Sequence, residues 1–283
     1  MLTALDGWEP KASDLLGAGG EAEVYAIGDD FVARLYRSSS TAVVQDAAHR
    51  VELCREIALG ATSLQFETPD VVGESVYDGR PVHLEGRLAG VSMLDALGHV
   101  IGAQREKLIT SYLDTAWAIG EITIERPFLG EIGRSDSIRS ASWRSYLGER
   151  AARSLVGSGF DDMDAQRLAS DVEDLRESPT LVHLDYCPAN VLTDGERVSA
   201  VIDFGYSTII GDRRMNVAAA VTHLLAPQIT PSVLAEDAAL VRDWVADSRL
   251  TQYVDGAVPW LAAYWTFASD DTALMAWCES VLR

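Results

Sequence analysis

The chain has 283 residues, 48% of them hydrophobic, and a formal net charge of −20. That length suits one large domain or two lobes, and the apolar content excludes a disordered chain. So acidic a surface repels nucleic-acid backbones and anionic membranes and leaves cationic or neutral partners. Apolar runs never reach the roughly 18 residues a membrane span needs; the longest, 217–226, is interrupted by Thr222 and His223 and reads as a buried helix. Residues 1–10 carry Asp6 and Glu9 with no basic cluster ahead of an apolar core, so no signal peptide is expected. Cys54, Cys187 and Cys278 are widely spaced, which argues against a disulfide framework or a zinc site and fits a reducing cytoplasm.

In chain order, residues 14–36 read as a β-meander. Leu15-Leu16 leads into Gly17-Ala18-Gly19-Gly20, Val24 to Ile27 returns, Gly28-Asp29-Asp30 turns, and Phe31 to Tyr36 forms the next strand. Residues 41–61 have helical spacing, with Val44, Ala48, Val51, Ile57 and Leu59 on or near one stripe. Strands are expected at Val71-Val72 and over 81–88, with Gly90 at a lobe boundary. Beyond it, 104–122, 142–156 and 164–176 read as helices, 180–184 and 198–204 as strands, and 216 onward as three or four helices rich in Trp and Ala. A small β-rich part followed by a larger helical part predicts an α+β, bilobal fold with a cleft, divided into residues 1–88 and 89–283.

The chemistry concentrates in residues 181–205. His183, Asp185 and Asn190 form H-x-D-x-x-x-x-N, and Asp203-Phe204-Gly205 forms D-F-G, with a turn at Thr193-Asp194-Gly195 between them. Both strings match the kinase signature. Phosphoryl transfer needs a carboxylate beside the attacking hydroxyl and oxygen ligands for magnesium. Asp185 is the candidate catalytic base, and Asn190 and Asp203 are the candidate metal ligands. Either motif alone is weak; the pair across one hairpin is specific.

With these residues in place the chain resembles the aminoglycoside phosphotransferase family, the bacterial small-molecule branch of the protein-kinase-like fold. That family carries V-H-G-D-x-x-x-x-N-V-L and V-I-D-F-G strings, followed by G-D-P-x-x-D-L-A. The corresponding stretch here is Gly211-Asp212 followed at 213–218 by Arg-Arg-Met-Asn-Val-Ala, so Asn216 stands where the family has an acid. Asp212 is expected to tie this loop to the next helix, and His183 to brace the catalytic loop. The Trp-rich tail is read as packing.

The resemblance implies a nucleotide site in the N-terminal lobe, with Mg2+ and ATP or GTP as phosphate donor. Gly17, Gly19 and Val24 fit a glycine-rich loop with Ala22 at its third glycine position. Arg34 stands where the family has a lysine that contacts phosphates, a substitution with a longer, planar cation. Its carboxylate partner is expected on the 41–61 helix, at Glu56 in preference to Glu52. The backbone at Gly86 and Leu88 is expected to meet the base.

Three functional readings follow. The first is an antibiotic-modifying kinase acting on a hydroxyl of a cationic small molecule. The second is a metabolic kinase for a sugar, an amino alcohol or homoserine. The third is a nucleotide-binding pseudokinase, because Arg34 replaces lysine. The absence of an A-P-E segment after D-F-G argues against protein substrates.

Overall fold

Alternation along two strands sets the character of the N-terminal part. In this computed structural model, which describes Leu5, residues 7–134 and residues 136–283, five strands form an antiparallel sheet. They are β1 (Leu15–Ala18), β2 (Ala22–Ile27), β3 (Phe31–Tyr36), β4 (Val71–Tyr77) and β5 (Arg80–Gly86), in the order β1-β2-β3-β5-β4. One helix, α1 (Thr41–Gly60), joins β3 to β4. The signal-peptide reading of residues 1–10 falls partly on Met1 to Ala4 and Asp6, outside the described residues.

Successive side chains on a strand point to opposite faces. Tyr25, Ala33, Leu35 and Val82 make an apolar cluster on one face, covered by Leu5 and Trp8. Arg34, Tyr36, His83 and Glu85 alternate with that set, and all four interlock. They meet α1 through Arg50, which is buried against Glu85. Ser40 caps α1 by accepting from the Val43 N–H.

The stripe expected on α1 is corrected by this packing. Val44 and Leu59 are exposed, and the inward face is Asp46, Ala47, Arg50, Val51, Leu53, Cys54 and Ile57. Two of those positions are charged, so hydrophobic periodicity alone misplaces the face.

The C-terminal part begins with β6 (Val91–Ser92), α2 (Met93–Ala96) and α3 (Gly102–Ile119). Gly90 precedes it with φ +123°, and a side chain there would collide with Thr193 and Ser199. A hairpin of β7 (Leu129–Glu131) and β8 (Arg139–Ser140) leads to α4 (Trp143–Leu155) and α5 (Ala165–Asp171). Next come β9 (Thr180–His183), β10 (Val191–Thr193), β11 (Val198–Val201) and β12 (Thr208–Gly211). Four helices close the chain: α6 (Arg214–Leu225), α7 (Ala235–Asp247), α8 (Thr251–Trp265) and α9 (Thr272–Leu282). The helix expected over 164–176 stops at Asp171, because Val172 turns to extended backbone. The strands β6, β7, β8, β10 and β12 are additions to the sequence reading. Of the described residues, no helix is long and apolar enough to cross a membrane.

The main core lies in the helical part and includes Trp143, Trp260, Trp265 and Trp277, as the packing reading of the tail expects. Its centre also supports the loop after β9. The Tyr186 carbonyl accepts from Tyr112 Oη at 3.0 Å and bonds His223 Nδ1 at 3.1 Å. Burial pushes His223 and His83 down to about 4 from 6.5, and lowers His183 as well. The unfolded chain therefore binds protons that these rings refuse. Their stabilisation is complete above about pH 6.5 and is lost as pH falls towards 4. The melting temperature should fall across that window, and His223→Gln should make the fall shallower. An unchanged slope would contradict the assignment.

Candidate active site

Short backbone hydrogen bonds shape the loop between β9 and β10. Leu184 N–H donates to Ser207 O at 2.9 Å, Tyr186 N–H to His183 O at 3.1 Å, and Asn190 N–H to Cys187 O at 2.9 Å. A 3-10 turn over Pro188–Asn190 then presents the Asn190 side chain. Its Nδ2 donates to the backbone O of Asp185 at 3.0 Å and to Asp185 Oδ2 at 2.9 Å. Across the β10–β11 hairpin, Ile202 N–H donates to Asn190 O at 2.9 Å, which sets Asp203 beside the loop. His183 is fully buried, bonds Ile202 O at 3.0 Å and packs on Phe204 at 4.6 Å between ring centroids. It braces the two motifs against each other.

The two carboxylates sit in opposite fields. Burial pushes Asp185 up to about 8, and the charges of Asp203, Glu21 and Asp271 add to the effect while the Asn190 hydrogen bond opposes it. Burial would raise Asp203 too, but Arg34 and Arg50 outweigh it and hold that carboxyl below its ordinary value. Asp203 is also held at φ +66°, a left-handed conformation uncommon outside glycine. Asp203 and the Asn190 amide oxygen are hard donors of the kind magnesium uses. Among the described residues no cluster of three or more His, Cys, Asp or Glu could hold a metal. Two protein oxygens completed by ligand oxygens match magnesium's habit rather than zinc's.

Arg34 reaches this site from β3. Its Nη2 lies 2.9 Å from Asp203 Oδ1 and its Nε 3.3 Å from Glu85 Oε1. Glu85 in turn takes Arg50 Nη1 at 2.6 Å and Nη2 at 3.4 Å. Burial would raise Glu85, but Arg50 and Arg34 hold it low. The partner of Arg34 is thus Glu85 on β5, and α1 contributes a cation instead of an anion. Glu56 pairs with Arg126 at 2.6 Å, and Glu52 lines a separate cavity with His49, Arg126 and Arg139. At 3.6 residues per turn, positions two and six beyond Arg50 point about 200° and 240° away from it. That geometry corrects the expectation for Glu56. Val24 is directly opposite Arg34 in the β2–β3 register. Gly17 pairs with Val24 in β1, and Gly19 N–H donates to Ala22 O at 2.9 Å, closing the loop above the site. Gly86 ends β5 and Leu88 follows in the connection to β6.

A profile of the Phosphotransferase enzyme family matches residues 14–248. The chain belongs to that family. Its fold is shared with the ADP-bound aminoglycoside phosphotransferase APH(2'')-Ib, at TM-score 0.62 and 14% identity over 95% of this chain and 91% of that one. It is shared also with the gentamicin complex of APH(2'')-IIa, at TM-score 0.60 and 17% identity over 95% and 90% of the chains. A streptomycin-ATP ternary complex of APH(2'')-IIa gives TM-score 0.53 and 15% identity over 89% and 92%. No curated protein sequence matches.

Within this phosphotransferase, several supports of the site escaped the sequence reading. Asn216 is buried; its Oδ1 accepts His183 N–H at 2.8 Å and its Nδ2 donates to Leu181 O at 3.0 Å. A neutral amide serves both backbone groups, whereas a carboxylate could serve only the first. Asp212 accepts the Arg214 N–H at 3.0 Å and grips its guanidinium, fixing the start of α6 as expected. The thiol of Cys187 is buried and pushed up, so it is unreactive. Asp271 caps α9 through Leu274 N–H at 2.9 Å and is the tail carboxylate whose field reaches Asp185. Asp237 is instead clamped by Arg105 at 2.6 Å in the core.

Two outcomes follow for urea denaturation. Glu85→Gln leaves two buried guanidinium groups against one carboxylate and should cost about 3 kcal/mol or more, while Glu56→Gln should change stability by less than about 1 kcal/mol. Equal effects would refute the pairing. Asn216→Ala orphans a buried N–H and a buried C=O and should cost about 2 kcal/mol or more; a neutral result would show that water replaces the amide.

Proposed function

We propose that this phosphotransferase moves the γ-phosphoryl group of ATP or GTP to a hydroxyl of a small cationic acceptor. The observation that carries the reading is the meeting of Asp185, Asn190, Asp203 and Arg34 at one end of the cleft. In this reading residues 1–88 form the nucleotide-binding lobe and residues 89–283 the lobe that receives the acceptor. Gly17, Gly19 and Val24 cover the phosphates and base from above, and the backbone at Gly86 and Leu88 meets the base edge. Arg34 turns from Asp203 to the inner phosphates, with Glu85 keeping its guanidinium in place.

Asn190 and Asp203 would hold magnesium, which supplies charge neutralisation on the phosphates. Asp185 orients the acceptor hydroxyl and takes its proton as the new O–P bond forms. Its amide anchor, Asn190 Nδ2, fixes the rotamer in which one carboxylate oxygen stays bonded and the other faces the acceptor. Burial and the Asp203 charge raise the proton affinity of Asp185, and magnesium on Asp203 would lower it towards the ionised form that a base requires.

A cationic acceptor is favoured by the charges around that base. Asp203, Glu21 and Asp271 all bear on Asp185, and the whole chain carries −20. An ammonium-bearing alcohol would find its counter-charges beside the base. The aminoglycoside complexes of the structural neighbours fit this class of acceptor. The three readings separate in one assay: magnesium-dependent phosphate transfer to a panel of aminoglycosides, macrolides, peptide antibiotics and hydroxylated metabolites. Transfer to a cationic antibiotic is expected; transfer only to metabolites favours a metabolic kinase, and transfer to none together with nucleotide binding favours a pseudokinase. Asp185→Asn should lower kcat by about 10² or more while nucleotide affinity is kept. An unchanged rate would remove Asp185 from the role of base.

A further inference from the structure

The hairpin between α3 and α4 ends beside the D-F-G segment. Strand β7 runs antiparallel to β12, with Glu131 opposite Ile209, and Ile132 N–H donates to Thr208 O at 3.2 Å. Continuing that register carries Gly133 and Arg134 towards Gly205 and Tyr206, the residues that follow Asp203-Phe204. Gly133 packs so closely that any side chain there would overlap the Gly205 carbonyl. The guanidinium of Arg134 then lies 4.5 Å over the Tyr206 ring. Tyr206 is itself fixed, its hydroxyl donating to Asp46 Oδ2 of α1 at 2.5 Å.

Arg134 therefore stands at the metal end of the cleft, on a platform that the catalytic segment provides. The glycine-rich loop brings Glu21 within electrostatic reach of Arg34, Arg50, Arg134 and Asp203 together. A negative group from the loop already senses all three arginines, and a phosphate beneath that loop would do the same. At present Arg134 is held by Asp136, with Nε to Oδ1 at 2.8 Å and Nη2 to Oδ2 at 3.2 Å. The Asp136 side chain is 50% exposed, and it also pairs with Arg153. The pair is open to solvent on its Asp136 side, and a phosphate would compete with that carboxylate for the same guanidinium edge. A guanidinium fork binds phosphate oxygens by two parallel hydrogen bonds, and the charge left on Asp136 keeps its second partner in Arg153.

We propose that Arg134 contacts the terminal phosphate of the bound nucleotide, delivered by the β7–β8 hairpin, while Arg34 serves the inner phosphates. The assignment rests on the phosphotransfer reading of the same cleft. It makes the hairpin part of the donor site and divides the phosphates between two cations, one from each lobe.

The test compares magnesium complexes of a non-hydrolysable nucleoside triphosphate and of the diphosphate with the same base, adenine or guanine, by titration calorimetry. Arg134→Ala should weaken triphosphate binding about tenfold or more and leave diphosphate binding within about twofold. Arg134→Lys should restore part of the difference, because it keeps the charge. The melting temperature of both variants, measured alongside, should match the unaltered protein. Equal loss for the two nucleotides, or no loss for either, would overturn the assignment and leave Arg134 a support for Tyr206. If the unaltered protein bound neither nucleotide in either base, the phosphotransfer reading itself would fall, and this one with it.

Discussion

Two guanidinium groups and two carboxylates, shared among β3, β5, α1 and the D-F-G segment, are the constraint around which the cleft is built. Arg50 and Glu85 are both buried, and Arg34 links them to Asp203. Charges taken out of water stabilise little by themselves, since desolvation offsets attraction. Their effect is on geometry. A bidentate pair fixes α1 against β5, and Glu85 Oε1, shared between Arg50 and Arg34 Nε, fixes the side of Arg34 from which it meets Asp203. Any shift of the helix would strand a buried charge, so the N-terminal sheet, its helix and the D-F-G segment must hold one relative arrangement.

That arrangement also explains how an arginine is accommodated at position 34, where the family resemblance implies a lysine. Arginine is longer, and its fork needs two acceptors in one plane. Glu85 faces its Nε and Asp203 its Nη2, and a glutamate at position 52 or 56 of the helix points too far round the cylinder to take the place of Glu85. Glu85 lies on the neighbouring strand, two positions from the residue paired with Arg34, and so shares its face of the sheet. The helix then has to supply a balancing cation, and Arg50 does so. The arginine at 34, the glutamate on β5 and the cation on α1 form one unit.

The sequence disclosed the chemical loop and the order of elements, because those depend on local spacing. His183, Asp185, Asn190 and Asp203 were readable since their separations are set by one short hairpin. The individual strands and the helix of the N-terminal part are readable from turns, alternation and helical spacing, whereas their assembly into one sheet rests on the family resemblance. What could not be read was long-range pairing. Glu85 was assigned to a strand, but nothing in its neighbourhood announces that Arg50, 35 residues earlier, is its partner. The buried face of α1 was misjudged for the same reason, since a charged residue that finds its counter-ion in the core looks like a surface residue in the chain. Strand β12 is missing from the sequence reading because the short stretch after D-F-G carries only a four-residue strand with no alternation to mark it. Its Thr-Ile-Ile run is fully buried between β7 and β9, as a central strand should be.

The placement of β12 bears on the kind of acceptor as much as on the fold. A long segment after D-F-G could fold over a protein substrate, but here the chain returns to the sheet within five residues of Asp203 and passes into α6. The space beside Asp185 is left to the loop and helix ends of the C-terminal part, among them the acidic N-terminus of α9 at Asp271. A carboxylate at that position stabilises the helix by capping it and at the same time contributes negative potential to the base. The same charge would become favourable beside an acceptor of the cationic kind proposed above. Helix capping and the field at Asp185 thus draw on the same sign of charge, which accounts for several carboxylates standing close to that residue.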